Sequence, residues 1–115
     1  MKNITNVLFV SILLLASCSG SEDLLYRNLD QIIISDFNKL KNDFKLNRIG
    51  EEEYLLGLNS LKTKETDLFK KVNLHQFKDI REQNYWHRGR LKFPSNIEME
   101  LNRIAETFKE TKAIK

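Results

Sequence analysis

The sequence predicts an all-α domain of about four helices, arranged as an antiparallel hairpin or a small bundle, after a cleaved signal peptide. The 115 residues include one proline and four glycines, which are too few turn-forming residues for a fold of many short strands. Apolar residues recur at steps of three to five positions, the spacing that places them along one face of a helix. A composition of 41% apolar and 30% charged residues fits one small globular domain.

The first helix is predicted from about Glu22 to Leu46. Glu22 and Asp23 lie in its first turn, where acidic side chains interact favourably with the helix dipole. The β-branched run at 32–34 leaves a short strand as an alternative for that stretch. The apolar stripe that predicts the helix consists of Leu25, Leu29, Ile32, Ile33, Phe37, Leu40 and Phe44.

The second helix is predicted to begin after Gly50, which ends the first apolar pattern. Glutamates at 51–53 suit the first turn of a helix, and the new stripe continues to about Val72. Gly57 lowers helix propensity by about 1 kcal/mol relative to alanine, which indicates either close packing or a weak point. The stripe comprises Tyr54, Leu55, Leu58, Leu61, Leu68, Phe69 and Val72, and Glu65 interrupts it.

The stretch LNRIGEEEYLLGLNSL, residues 46–61, resembles the short helix-turn-helix oligomerisation segment of many bacterial proteins. Ile49, Glu52, Glu53 and Tyr54 carry the likeness. The family segment usually closes a protein and has a basic second helix, whereas this stretch is central and rich in leucine. A plain antiparallel hairpin is the alternative, because short turns generally join neighbouring helices in that way.

Two shorter helices complete the predicted domain. The third is expected from Asn73 to about Asn84, and the last begins after Pro94. Ser95 and Glu98 form a capping-box pattern, in which each side chain satisfies a backbone N–H of the first turn. The apolar positions are Leu74, Phe77 and Ile80 in the third helix, and Ile97, Leu101, Ile104 and Phe108 in the last.

The amino terminus has the order of a secretory signal peptide, with a positive start at Lys2, an apolar stretch from Val7 to Ala16 and small residues after it. The apolar run at 4–16 has 13 residues, whereas a helix needs about 20 to cross a membrane. An uncleaved anchor, or an ordinary export signal with a chance cysteine, is the alternative.

The motif Leu15-Ala16-Ser17-Cys18 contains the only cysteine and resembles the lipobox of bacterial lipoproteins. The resemblance implies that Cys18 carries a diacylglycerol thioether, that a peptidase cuts between Ser17 and Cys18, and that the new amino terminus is acylated. Two acyl signals suffice for stable attachment, since each buried methylene contributes about 0.8 kcal/mol. We therefore expect a signal peptide at 1–17, a short tether at 18–22 and the helical domain at 23–115.

The resemblance also implies a location. Ser19 follows Cys18 at the position where an aspartate would resemble the inner-membrane retention signal of enterobacteria. We therefore expect a protein that is lipid-anchored in the bacterial cell envelope, with the outer membrane favoured over the inner membrane. Because the tether is short, the folded domain is expected in the periplasm, close to the bilayer.

The stretch QNYWHRGRLKFP, residues 83–94, is the candidate partner surface, because aromatic and basic side chains concentrate where helical periodicity fades around Gly89. Such side chains suit contact with another protein or with anionic lipid headgroups. In the alternative, Trp86 and Phe93 fill the end of the bundle while the basic side chains are solvated. The candidate residues are Tyr85, Trp86, His87, Arg88, Arg90 and Lys92.

Several classes of function find no support in the sequence. The net charge of +3, which becomes +2 without Lys2, is too small to indicate nucleic-acid binding. His75 and His87 are the only histidines and have no further ligand at metal-site spacing, so no metal is expected and the only added group is the lipid on Cys18. No P-loop or nucleophile-elbow motif occurs, and we do not expect an enzyme.

The observations together predict a non-catalytic, lipid-anchored helical interaction or adaptor protein that binds an envelope protein. The alternative is a protective lipoprotein that blocks a toxin, a phage or an incoming plasmid. The sequence does not separate these roles, but neighbouring genes would, since a toxin or conjugation gene favours protection and an assembly operon favours the adaptor.

Overall fold

The computed structural model describes residues 22–114, and the side chains of residues 22–108. It confirms the predicted all-α fold, in which the first two helices pack as an antiparallel hairpin. The predicted signal peptide, its cleavage position and Cys18 lie outside the described residues. The helices are α1 (Glu22–Lys45), α2 (Glu51–Leu74), α3 (Ile80–Tyr85) and α4 (Asn96–Ile114), and a π-helical turn (Trp86–Arg90) follows α3 directly.

The turn between α1 and α2 depends on Asn47 rather than on Gly50. Asn47 has a φ of 60°, a left-handed conformation that asparagine adopts more readily than most residues. The Asn47 N–H donates to the carbonyl of Phe44 at 3.1 Å, and the Arg48 N–H donates to the carbonyl of Asp43 at 2.8 Å. These two bonds form a Schellman motif, which satisfies the last carbonyls of α1 and reverses the chain.

The hydrophobic core lies between α1 and α2 and is covered by the π-helical turn and α4. Residues 32–34 are helical, so the alternative of a strand there is wrong. A Cβ added at Gly57 would lie 2.7 Å from the Leu40 side chain, so this glycine permits close approach of the two helices. The buried apolar residues are Ile33, Phe37, Tyr54, Leu58, Leu61, Leu68, Val72, Trp86 and Ile97.

The predicted third helix at 73–84 is wrong at its start, because α2 continues further and α3 begins only at Ile80. The carboxylate of Asp23 in α1 accepts hydrogen bonds from the N–H groups of Lys78 and Asp79, each at 2.9 Å. These bonds hold the connection in a non-helical path. Asp79 then caps α3, because its side chain accepts a hydrogen bond from a backbone N–H of the first turn.

The start of α4 shows the Ser95 half of the predicted capping pattern, while the Glu98 carboxylate lies 3.6 Å from Lys62 Nζ. Ser95 Oγ accepts a hydrogen bond from the Glu98 N–H at 3.1 Å. Ile97 is buried in the same turn, while Leu101 and Ile104 are partly buried against the core. None of the described helices is long and apolar enough to span a membrane.

Candidate functional site

Residues 83–94 comprise the end of α3, the π-helical turn and the loop that leads to α4. In the π-helical turn the Leu91 N–H donates to the carbonyl of Trp86 at 2.7 Å, five residues back rather than four. The wider turn accommodates one extra residue and changes the direction of the side chains after it. Trp86 thereby points into the core, while Arg88 is exposed two residues later.

Arg90 fixes this turn to the helical hairpin through a buried ion pair with Asp30 of α1. Its Nε lies 2.9 Å from Asp30 Oδ2, and its Nη2 lies 2.7 Å from Asp30 Oδ1. The Asp30 side chain is fully buried and the Arg90 side chain is 16% exposed. Two parallel hydrogen bonds between a guanidinium and a carboxylate fix orientation as well as distance.

Glu65 of α2 is the second carboxylate that binds Arg90. It accepts a hydrogen bond from Arg90 Nη2 at 3.0 Å and another from Ser95 Oγ at 2.5 Å. Lys62 Nζ lies 3.5 Å from the same carboxylate and supplies a second positive charge. The four side chains Asp30, Glu65, Arg90 and Ser95, which we call the Arg90 network, therefore join α1, α2, the π-helical turn and the start of α4.

The charges in this network alter the titration of the groups around it. Burial alone would lower the pKa of Arg90, but its bonds to the two carboxylates outweigh burial and raise that pKa. Burial and a hydrogen bond to Asp30 raise the pKa of Tyr85 to about 12. The guanidinium of Arg27 lies 3.6 Å from the centre of the Tyr85 ring and pairs with Glu82 at 3.1 Å. Arg90 and Tyr85 therefore keep their charge states across the physiological range, which suits a structural role.

Trp86 is completely buried, so the expectation that it lies on a partner surface is wrong for this residue. Its ring contacts Phe69 edge-on at a centroid distance of 5.9 Å and Tyr85 at 5.1 Å. The alternative that Trp86 fills the core is therefore correct. The same alternative placed Phe93 at the filled end of the bundle, which is wrong, because 63% of the Phe93 surface is exposed.

The remaining candidate residues divide into an anchored and an exposed group. Tyr85 and Arg90 are partly buried and are engaged by Asp30. His87, Arg88 and Lys92 retain solvent exposure, as either interpretation of the segment predicts for basic side chains. Three of the predicted residues are therefore exposed, and Phe93 is exposed close to them in the chain.

An open groove of about 430 Å³ lies along this segment. Its apolar wall includes Phe93 and Pro94, and its polar lining includes Arg88 and side-chain amides from both neighbouring helices. This combination is typical of a recognition surface, since aromatic and arginine side chains contribute most to protein contacts. We call it the Arg88 groove, and its lining includes Asn84, Tyr85, Arg88, Phe93, Pro94 and Asn96.

A contact between His75 and Asp23 fixes the far end of the hairpin. His75 Nε2 lies 2.6 Å from Asp23 Oδ1, and the His75 ring packs edge-on between Tyr26 and Phe77. Burial alone would raise the pKa of Asp23, but the hydrogen bonds from His75 and from the Lys78 and Asp79 backbone outweigh it and lower that pKa. The Asp23 carboxylate therefore has a structural role and is hydrogen-bonded to three partners.

Sequence reasoning missed the buried carboxylates. Asp23 and Asp30 are spaced seven residues apart and lie on the same face of α1 as Ile33 and Phe37. Glu65 occupies a position in the apolar stripe of α2 at which a leucine would fit the pattern. A charged residue at a core position of an amphipathic helix is a signal for a buried partner, although it does not identify which residue that partner is.

A second groove of about 440 Å³ lies at the opposite end of the hairpin, beneath α4. The rings of Phe44 and Tyr54 stack there at a centroid distance of 4.2 Å. Tyr54 donates a hydrogen bond to Glu100, which Arg103 also binds. Burial and the bond to Glu100 raise the pKa of Tyr54, while the bond from Arg103 lowers that of Glu100. Tyr54 and Arg103, two of the polar residues that line this groove, are thus both bound to Glu100.

Within the part of the chain that the structure describes, no group of three or more metal-ligating side chains converges. The two histidines have different neighbours: His75 is bound by Asp23, whereas His87 is exposed and lies edge-on to Phe77. The fold and the site define a small helical domain in which buried ion pairs hold the Arg88 groove against the hairpin. Comparison of the chain with protein-family models, curated proteins and solved structures finds no match.

Proposed function

We propose that this chain is a small, non-catalytic interaction or adaptor protein of the bacterial cell envelope, anchored by lipid on Cys18. The lipobox-like sequence before Cys18 supports the anchor, and Ser19 supports the outer membrane over the inner membrane. The Arg88 groove is the surface that we propose for a protein partner. A lipid anchor raises the effective concentration of this surface for partners in or near the same membrane.

The exposure of Phe93 beside Arg88 is the observation that carries the proposed interaction. Phe93 is 63% exposed, although the neighbouring residues are held in place by buried ion pairs. An aromatic ring and an arginine held on a rigid segment lose little conformational entropy when a partner covers them. A protein partner therefore gains apolar burial and charge-assisted hydrogen bonds from a groove that is already formed.

The anchor is tested by replacing Cys18. Cys18→Ser removes the thiol that would receive the lipid, so we expect loss of radiolabelled palmitate and accumulation of the longer precursor. Ser19→Ala serves as the control and should leave labelling unchanged. Palmitate on the Cys18→Ser protein would contradict the anchor. Recovery of the labelled wild-type protein mainly in inner-membrane fractions would contradict the proposed location.

The interaction is tested by a photo-crosslinking amino acid at position 93 of the full chain in living cells. We expect a protein adduct from position 93 and none from Leu56, an exposed leucine of α2 that lies outside the groove. Arg88→Glu combined with Lys92→Glu should abolish the adduct. Arg90 is left unchanged because it holds the fold together.

The captured molecule also separates the candidate roles. An envelope assembly or secretion protein supports the adaptor, whereas a toxin, phage or conjugation protein supports the protective alternative. Adducts to lipid alone would contradict a protein partner and indicate headgroup docking. Equal capture from positions 93 and 56 would show that the groove has no special role.

A further inference from the structure

The outward face of α1 is apolar at the end of the domain where the chain arrives from Cys18. Leu24, Leu25 and Ile32 are 54%, 51% and 58% exposed, and Leu29 is 39% exposed. Positions 25, 29 and 32 are spaced four and three residues apart and therefore adjoin one another along the helix surface. We call these four residues, Leu24, Leu25, Leu29 and Ile32, the apolar face of α1.

This face carries no charge from Leu24 to Ser35. The other exposed positions in this interval are Asn28, Gln31 and Ser35, which are polar but uncharged. The two charged residues of the interval are both paired: the Arg27 side chain, which is 35% exposed, pairs with Glu82, and the fully buried Asp30 pairs with Arg90. Exposed charges return on α1 only at Asp36 and Lys39. The uncharged surface is thus confined to the first half of the helix.

The short connection to Cys18 identifies what can cover this face. Only residues 18–21 separate the proposed lipid attachment from the start of α1. Even a fully extended chain of this length spans about 14 Å, so the first turns of α1 stay close to the headgroups of the bilayer. An apolar surface at that distance can be buried in the interfacial layer, where amphipathic helices insert their apolar faces.

The neighbouring end of α2 has features that also suit a lipid surface. The His75 contact with Asp23 brings this end beside the start of α1. Leu74 is 87% exposed, and Lys70 and Lys71 are exposed in the same last turn. Lysines next to an exposed leucine combine attraction to anionic headgroups with apolar insertion.

A second copy of the chain fits this face less well. Four partly exposed aliphatic side chains offer a few hundred Å² of apolar surface, whereas a standard interface takes about 800 Å² from each partner. We propose that the apolar face of α1 lies on the lipid bilayer beside the anchor, so that the domain rests on the membrane in a defined orientation. This inference rests on the proposed lipidation of Cys18 and adds a second, non-covalent contact to it.

Fluorescence quenching on the acylated full-length protein tests the contact. Cys18 is the only cysteine, and its thiol is consumed by the lipid, so Ile32→Cys provides a single site for an environment-sensitive fluorophore. Leu56→Cys is the matched control, because Leu56 is 66% exposed on α2. Both proteins are reconstituted into vesicles of phosphatidylethanolamine and phosphatidylglycerol that contain a nitroxide-labelled lipid. Unchanged helical circular dichroism verifies that each variant is folded, and Leu25→Cys gives a second reporting position.

We expect quenching by the nitroxide lipid to be at least twofold stronger at positions 32 and 25 than at position 56. Equal quenching at all three positions, in a protein that floats with the vesicles, would overturn the inference while leaving the anchor intact. Fluorophores shielded from both the nitroxide lipid and aqueous iodide would also overturn it, because they would indicate a second copy over this face. A wild-type protein that is not acylated and does not float would refute the anchor, and the inference with it.

Discussion

Trp86 illustrates at the scale of one residue how burial and hydrogen bonding oppose each other. The ring is completely buried, yet its Nε1 is the one buried side-chain nitrogen or oxygen among the described residues that lacks a hydrogen-bond partner. Leaving a buried polar group unpaired costs about 1–3 kcal/mol. The indole ring therefore stabilises the core through its volume, and its unsatisfied N–H opposes part of that stabilisation.

Replacement of Trp86 separates these two contributions. Trp86→Ala removes most of the ring volume and should destabilise the domain by about 3–5 kcal/mol. Trp86→Phe loses part of the volume but also removes the unpaired N–H, so we expect a loss of at most about 1.5 kcal/mol. Urea unfolding of the chain from Ser19 onward, monitored by circular dichroism, measures both values. A phenylalanine variant as unstable as the alanine variant would contradict the assignment of an unpaired N–H.

The lowered pKa of Asp23 predicts that the stability of the fold depends on pH. Its pKa in the folded protein lies below the ordinary value of 3.8, because His75 and two backbone N–H groups bind the charged form. The corresponding stabilisation is complete above the unfolded pKa and is lost as the pH falls through the folded pKa. Acid below about pH 4 should therefore weaken the tie between α1 and the connection that precedes α3.

Asp23→Asn isolates this contribution from that of the other carboxylates. The variant should be less stable than the wild type at pH 6, because asparagine lacks the charged carboxylate that binds His75 and two backbone N–H groups. The difference in unfolding free energy should shrink at pH 3, because the Asp23 carboxylate of the unfolded chain takes up a proton more readily there than that of the folded protein, which lowers the stability of the wild type. Urea titrations at the two pH values measure it. A difference that stays constant or grows at pH 3 would contradict the lowered pKa of Asp23.

At the scale of the helices, the turn between α1 and α2 depends on backbone conformation. Asn47→Gly should leave stability nearly unchanged, because glycine adopts the left-handed conformation without a steric penalty. Asn47→Val should cost about 1–2 kcal/mol, since a β-branched residue is strained at a φ of 60°. Thermal unfolding of the two variants compares them directly. Equal stability of the valine and glycine variants would show that the left-handed conformation at position 47 is not required.

The helices themselves could be predicted from sequence to the extent that their signals are local. The apolar stripes of α1 and α2 and the cap at Ser95 lie within a few residues of the elements they specify, and their predicted boundaries agree closely with those observed. The start of α3 has one local signal, the cap at Asp79, but the non-helical connection before it could not be predicted in this way. That connection is held by hydrogen bonds to Asp23, which is 55 residues away from Lys78.

The candidate site was predictable in position but not in the roles of its side chains. The cluster of aromatic and basic residues at 83–94 marked the segment, and Gly89 marked the loss of regular α-helix. Burial of Trp86 and pairing of Arg90 depend on the π-helical turn and on carboxylates of two distant helices. No periodicity within the segment encodes those long-range contacts.

At the scale of the whole molecule, the Arg90 network holds the Arg88 groove against the hairpin. Asp30 and Glu65 belong to the two long helices, whereas Arg90 and Ser95 belong to the segment that forms the groove. Loss of either partner of a buried pair leaves an uncompensated charge, which typically costs about 3–5 kcal/mol. The rigidity of the proposed partner surface therefore depends on the bond between Arg90 and Asp30.

A double-mutant cycle on this pair is the most direct measurement of that dependence. Asp30→Asn, Arg90→Leu and the double variant are unfolded in urea, with Arg88→Leu as an exposed control that should change stability by no more than about 0.5 kcal/mol. We expect each single variant to lose about 3 kcal/mol and the double variant to lose little more, which gives a coupling free energy of about 2 kcal/mol or greater. Additive losses, with a coupling below about 0.5 kcal/mol, would contradict a buried ion pair between Arg90 and Asp30 that holds the groove in place.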